Sequence, residues 1–131
     1  MKKDIEIPVV KGVYIAVVKE WDEELLGQNW NSYIINDQDI AIEMVLVVTK
    51  GYDDDRKTSV LRHGIGKIEA KSYAKIEMLQ EELLVMNNEF VVTFFADSKL
   101  FDKKYLFKKN TINENAFRDL PVMEQRGVLV K

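Results

Sequence analysis

The sequence predicts a mainly β protein, an immunoglobulin- or fibronectin-like antiparallel β-sandwich of six to eight strands. Three observations carry that expectation. β-Branched and aromatic residues gather in short runs; polar clusters rich in Asn, Asp, Gly and Ser separate the runs; and within several runs apolar side chains recur at every second position. A single β-rich domain over residues 1–131 suits the length, and 47% hydrophobic residues supply the material for one core. The alternative is an α+β fold with one helix near residues 73–86.

Ile5–Val10 reads as a weak edge strand, because Pro8 cannot donate to a ladder and lysines flank the run. Val13–Val18, opened by Gly12, is apolar at every position, as in a strand buried on both faces. Trp21–Asn29 reads as a connection, with Asp22–Leu26 as one helical turn closed by Gly27. Trp30–Ile35 is the next strand, and Asn36–Asp39 is a turn whose side chains bond the local backbone.

Ile40–Thr49 alternates most clearly and belongs in the middle of a sheet. Ile40, Ile42, Met44, Leu46 and Val48 share one face; Ala41, Glu43, Val45, Val47 and Thr49 share the other. Gly51–Lys57 is a polar turn. Ser59–Ile68, with Gly64 and Gly66, is a short strand, a bulge or a loop. Tyr73–Met86 is ambiguous: Ile76, Leu79, Leu83 and Met86 have helical spacing, but strands flank the segment. Context favours a strand over Ser72–Leu79, with Ala74, Ile76 and Met78 inward, followed by a loop.

Glu89–Ala96 is a strand with Phe90, Val92, Phe94 and Ala96 on one face. Lys103–Lys109 pairs back on it across a long tip around Asp97–Lys99. Asn110–Asp119 is a polar loop, and Val128–Val130 is a last short strand or a packed tail. There is no internal repeat, low-complexity tract or linker.

Composition removes whole classes of function. With no cysteine, disulfides, thiolate metal sites and a cysteine nucleophile are all excluded. The single histidine, His63, excludes any site needing two in one chain. Nineteen basic against 22 acidic residues argue against a general polyanion binder, so nucleic acid is not the expected partner. Asp4 and Glu6 interrupt the N-terminus before the apolar core of a signal peptide forms, and no stretch approaches the roughly 18 apolar residues of a membrane span. The expectation is a cytoplasmic protein without membrane contact, metal or cofactor.

Five constellations are candidates for chemistry. In Asp53-Asp54-Asp55 the carboxylates are adjacent rather than alternating, and Arg56 and Lys57 follow, so a solvated turn is expected rather than a cation loop. Arg62-His63-Gly64-Ile65-Gly66-Lys67 sets two glycines among three basic side chains, a composition able to cradle an anion through exposed N–H groups. It is no P-loop, because Leu61 and Ile68 stand where that motif needs a glycine and a hydroxyl. Arg62, His63, Gly64, Gly66 and Lys67 are therefore the candidate ligand-binding residues. His63 as a general base lacks a recognised nucleophile motif, and no catalytic residue is assigned. Lys103–Lys109 interleaves cations and rings, but on a strand Tyr105 and Phe107 fall on one face and Lys104 and Lys108 on the other. Trp21 and Trp30 flank a connection; they are core residues or an aromatic patch for a partner.

Leu46-Val47-Val48-Thr49-Lys50-Gly51-Tyr52, Arg62-His63-Gly64-Ile65-Gly66 and Thr93-Phe94-Phe95-Ala96-Asp97 with Lys99-Leu100-Phe101 resemble a family of small uncharacterised bacterial proteins. The resemblance covers nearly the whole chain and implies no particular activity. Some relatives bear a phenylalanyl-tRNA synthetase subunit label. A synthetase core of that class is a far larger fold with ATP-binding motifs that these residues do not match, so the label reads as a mistaken transfer.

The expected function is a non-enzymatic sandwich that binds another protein or itself. The alternatives are a small-molecule or anion site around Arg62, His63 and Lys67, and a synthetase-associated role.

Overall fold

The computed structural model describes residues 9–131. Strands account for most of it: β1 (Val13–Asp22), β2 (Gly27–Asn36), β3 (Ile42–Tyr52), β4 (Leu61–Ile68), β5 (Ser72–Leu79), β6 (Asn87–Ala96), β7 (Lys99–Phe107), β8 (Arg118–Asp119) and β9 (Arg126–Val130). One helical turn, α1 (Glu81–Leu84), follows β5, and a short 3₁₀ turn spans Glu114–Ala116. The strands form two antiparallel sheets, one ordered β5-β2-β1-β9-β8 and the other β4-β3-β6-β7. Between them lies one apolar layer. Ile15, Val17 and Ile34 of the first sheet meet Val45, Val47, Phe90, Val92, Phe94, Tyr105 and Phe107 of the second. The Tyr105 hydroxyl crosses this layer to donate to the Val13 carbonyl at 2.6 Å. Burial holds that phenol well above its ordinary pKa.

The β-sandwich expected from the alternation is present, and several elements differ in detail. The edge strand expected over Ile5–Val10 lies mostly outside the described residues; Val9 and Val10 are not in a strand. Trp21–Asn29 is not a connection with a helical turn. β1 and β2 run through it as one hairpin, Trp21 opposite Gln28 and Asp22 opposite Gly27. Asp22 caps the tight end by accepting the Glu24 and Leu25 N–H groups, so acidic residues that suit a helix start serve a turn instead.

The tip between β6 and β7 is not long. Ala96 pairs with Lys99, leaving only Asp97 and Ser98, both at positive φ, the backbone of the two-residue turn that matches strand twist. Residues 73–86 divide between the two expectations: β5 ends at Leu79, and the helical spacing survives only as α1. Of the three residues expected inward on β5, Met78 faces out. Ser32 pairs with Glu77 but Tyr33 with Lys75, so Ile76 is an extra residue, a β-bulge that shifts the alternation by one.

Candidate interaction surface

Each sheet has a second face, turned away from the core. On the first sheet that face belongs to Ala16 and Val18 of β1 and Ile35 of β2, all fully buried. The chain covers them itself: Leu120 and Met123, between β8 and β9, pack on them, with Tyr14, Tyr33, Val122 and Leu129 around. A polar clasp holds the covering segment. Glu20 accepts from Asn31 Nδ2 at 2.8 Å, from the Tyr33 hydroxyl, and from Gln125 Nε2 at 3.2 Å. Burial and the Glu20 carboxylate push the Tyr33 phenol above its usual pKa. Gly127 lets β9 close on β1: a Cβ there would lie 2.5 Å from the Val17 carbonyl oxygen.

On the second sheet no described segment plays that part. Its outer face carries Leu46 and Val48 of β3, Val91, Thr93 and Phe95 of β6, and Leu100 and Leu106 of β7, as the strand pairing requires. Phe95 is 39% exposed, Leu46 38% and Leu100 52%. Charges border the apolar area: Arg62 and Lys104 at the two ends of the row holding Val48 and Val91, Asp102 beside Thr93, Glu43 opposite Phe95, and Lys50 with Glu89 at one end.

The phase of β3 creates this surface. Glu43 pairs with Phe95 and Leu46 with Thr93, so β3 carries one extra residue across that interval. Met44 takes it up in the left-handed region, φ +52°, where a residue with a Cβ is strained. Before the bulge Ile42 points into the core; after it Val45, Val47 and Thr49 do. Ile42 is thereby separated from Met44, Leu46 and Val48, with which simple alternation groups it. Met44 itself is 72% exposed.

β4 carries a compensating bulge, and Gly66, at φ +87°, lies within it. The five residues singled out on this strand do not converge. Arg62 and Gly64 pair with Val48 and Leu46 on the outer face, whereas His63 turns inward beside Val47. Lys67 lies 3.5 Å from Glu69, and a Cβ at Gly64 or Gly66 would meet open space. His63 instead meets Glu77 of β5 on the other sheet, Nε2 to Oε1 at 2.5 Å. Thr49 donates to that same carboxylate oxygen at 2.8 Å. Thr49 Oγ1, at 3.4 Å, and Glu77 Oε1 both lie against the same ring nitrogen, Nε2, so the imidazole does not link a hydroxyl to an acid through its two nitrogens as a catalytic triad does. The arrangement ties the β4 and β5 edges of the sandwich together. Glu77 faces inward because of the bulge at Ile76, and nothing local in the sequence signals it.

A cavity of about 180 Å³ opens next to this tie, lined by Thr49, Gly51, Glu77, Leu83, Asn88 and Phe90 among others. Trp21 and Trp30 lie on the inward side of the first sheet near the β1–β2 turn. Trp30 packs edge-on to Phe117 at 5.7 Å under the Lys19 ammonium, and Trp21 is 55% exposed. Asp53–Arg56 forms the turn expected of it: Asp53 accepts the Asp55 and Arg56 N–H groups and the Arg56 guanidinium. Those bonds, led by the guanidinium, lower its carboxyl pKa to about 2.

Among the described residues no three carboxylate or imidazole groups gather as a metal site needs, and no helix is long and apolar enough to cross a membrane. No protein-family model matches the chain, and no curated protein matches it.

Proposed function

We propose that the chain is a non-enzymatic β-sandwich module that binds protein through the outer face of its four-stranded sheet. The observation that carries this is the contrast in cover. Large apolar side chains of three neighbouring strands stand exposed on one outer face, while the chain spends its C-terminal segment covering the other. An apolar centre with a charged border has the anatomy of a protein interface. The strand order, β5-β2-β1 against β4-β3-β6-β7, supports placing the sandwich in the immunoglobulin and fibronectin class. The family resemblance belongs to the same proposal and favours a bacterial, cytoplasmic protein.

The test compares the wild-type chain with Leu46→Lys/Phe95→Lys as baits for purified or lysate proteins, both shown folded by circular dichroism. The module requires a protein held by the wild type, itself included, and released by the double variant. Equal retention of every protein by both baits would refute the outer face as the site.

A small-molecule site is the second function with an observation in its favour, the cavity beside Thr49 and Glu77. At about 180 Å³ it is smaller than the roughly 300–1,000 Å³ of most ligand pockets. Thermal shift against phosphate and common metabolites tests it. A ligand at about a hundred times its Kd adds roughly 2.7 kcal/mol of stability, and no shift across the panel would remove it.

A further inference from the structure

Resting on that function, we propose that the partner for this face is a second copy of the same chain, packed sheet to sheet about a two-fold axis running across the strands. The charge pattern of the face selects this occupant and this orientation, and its area is enough for a dimer.

Only an axis across the strands brings opposite charges together without also setting like charge on like. Along β7, Lys104 and Asp102 are successive outward residues; along β3, Lys50 and Glu43 stand at opposite ends of the apolar stretch. Consider an axis lying across the strands, between the row of Val48 and Val91 and the row of Leu46 and Thr93. It lays each strand over its own copy in reverse. Lys104 then faces Asp102 of the second copy, and Lys50 faces Glu43. Val48 meets Leu46, Leu106 meets Leu100, and Glu89, flanked in its own chain by Lys50 at 3.6 Å and Lys104 at 3.7 Å, lies over Phe95. Arg62 lies over Gly64, where the missing side chain leaves room. An axis along the strands would instead lay β3 over β6 and β4 over β7; it would pair Lys50 with Glu89 but set Arg62 against Lys104, like charge on like charge. The first arrangement is isologous and closes as a dimer. Long lysine side chains absorb the roughly 30° at which stacked sheets cross.

The area is sufficient for a weak dimer. Four strands spaced about 4.8 Å, each some nine residues long at about 3.3 Å per residue, present a face of roughly 19 by 30 Å. Two such faces bury on the order of 1,100 Å², just above the roughly 1,000 Å² expected of a biological interface.

The backbone is strained at this face. Met44, the most exposed of its apolar side chains, sits in the left-handed region on the bulge that turns Leu46 and Val48 outward. Strain of this kind persists where the surrounding structure over-determines it, and Val122, over the other face, shares it at φ +66°.

The experiment is sedimentation equilibrium of the full chain from about 1 μM to 1 mM, the range in which an interface of this size associates. The expected result is a concentration-dependent monomer–dimer equilibrium. It is abolished in Leu46→Lys/Phe95→Lys, whose circular-dichroism spectrum stays that of the wild type. Lys104→Asp alone weakens the dimer at least about tenfold, and Asp102→Lys does the same. Combining Lys104→Asp with Asp102→Lys restores it, because the swapped charges again face each other. A monomer throughout the range overturns the proposal, as does a dimer indifferent to Leu46→Lys/Phe95→Lys or a double reversal no better than either single. A monomer that still captures a different protein through Leu46 and Phe95 would sink the second copy and leave the binding module standing.

Discussion

The two outer faces of the sandwich are built from similar residues and meet different fates. β1 offers Ala16 and Val18 outward, β3 offers Leu46 and Val48; both pairs are apolar and both sit near the middle of a sheet. The first pair is fully buried because Leu120 and Met123 return over it. No described segment returns over the second pair. An apolar outward face is therefore not a defect of patterning here. It is a request for cover, met inside the chain on one side and, in the proposed dimer, by a second chain on the other.

The largest expected effect sets adjacent residues of β6 against each other. Phe94 points into the core and Phe95 out of it. Phe94→Ala should lose about 3–5 kcal/mol of unfolding free energy, and Phe95→Ala less than about 1 kcal/mol when measured on the monomer. Urea titrations read both. Equal losses would mean that the outer face is covered after all.

The next pair probes the covered face. Met123→Ala should cost about 2 kcal/mol or more through the space it leaves over Val18 and Ile35. Gly127→Ala should cost about 1–3 kcal/mol, because its methyl has no room against the Val17 carbonyl oxygen. A neutral Gly127→Ala would show that β9 does not close on β1 as described.

A smaller effect, opposite in sign, belongs to the bare face. Met44→Gly, made in the Leu46→Lys/Phe95→Lys background so that self-association does not enter, should raise stability by up to about 1 kcal/mol. Met44→Val should lower it by a similar amount, since a β-branched residue tolerates positive φ poorly. A gain from valine would contradict the bulge.

The smallest effect lies in the Asp53 turn, off both faces, and serves as a control. The folded-state pKa there is depressed from 3.8 to about 2, so its contribution to stability is present above pH 3.8 and is lost as pH falls toward 2. An NMR titration should place the Asp53 carboxyl midpoint near 2 and return it toward the ordinary value in Arg56→Gln. An unmoved midpoint would deny the Asp53–Arg56 pairing.

Much of the architecture was legible from alternation. Phe90, Val92 and Phe94 on one side of β6, and Tyr105 and Phe107 on one side of β7, fall where period two places them. The differences in which face a residue takes share one cause. At Met44, at Ile76 and in β4 an extra residue shifts the phase, and a bulge leaves little trace in a sequence unless a glycine marks it. Gly66 marks one; Met44 and Ile76 mark nothing. For the same reason Glu77 was not foreseen as the partner of His63. The hairpin tip at Asp97–Ser98 is hard to read for another reason: Leu100 and Phe101 continue the strand, while the turn residues fit either a two-residue or a longer tip.

Composition and periodicity alone determined that this chain forms stacked antiparallel strands with no thiol chemistry and a single imidazole, because burial of alternating apolar side chains is a local property repeated along the chain. Which apolar face is covered and which stays exposed was decided only by tertiary structure. It depends on where residues 120–123 return, and on two bulged strands whose side chains change face by a single residue, and both are fixed by contacts between segments far apart in sequence.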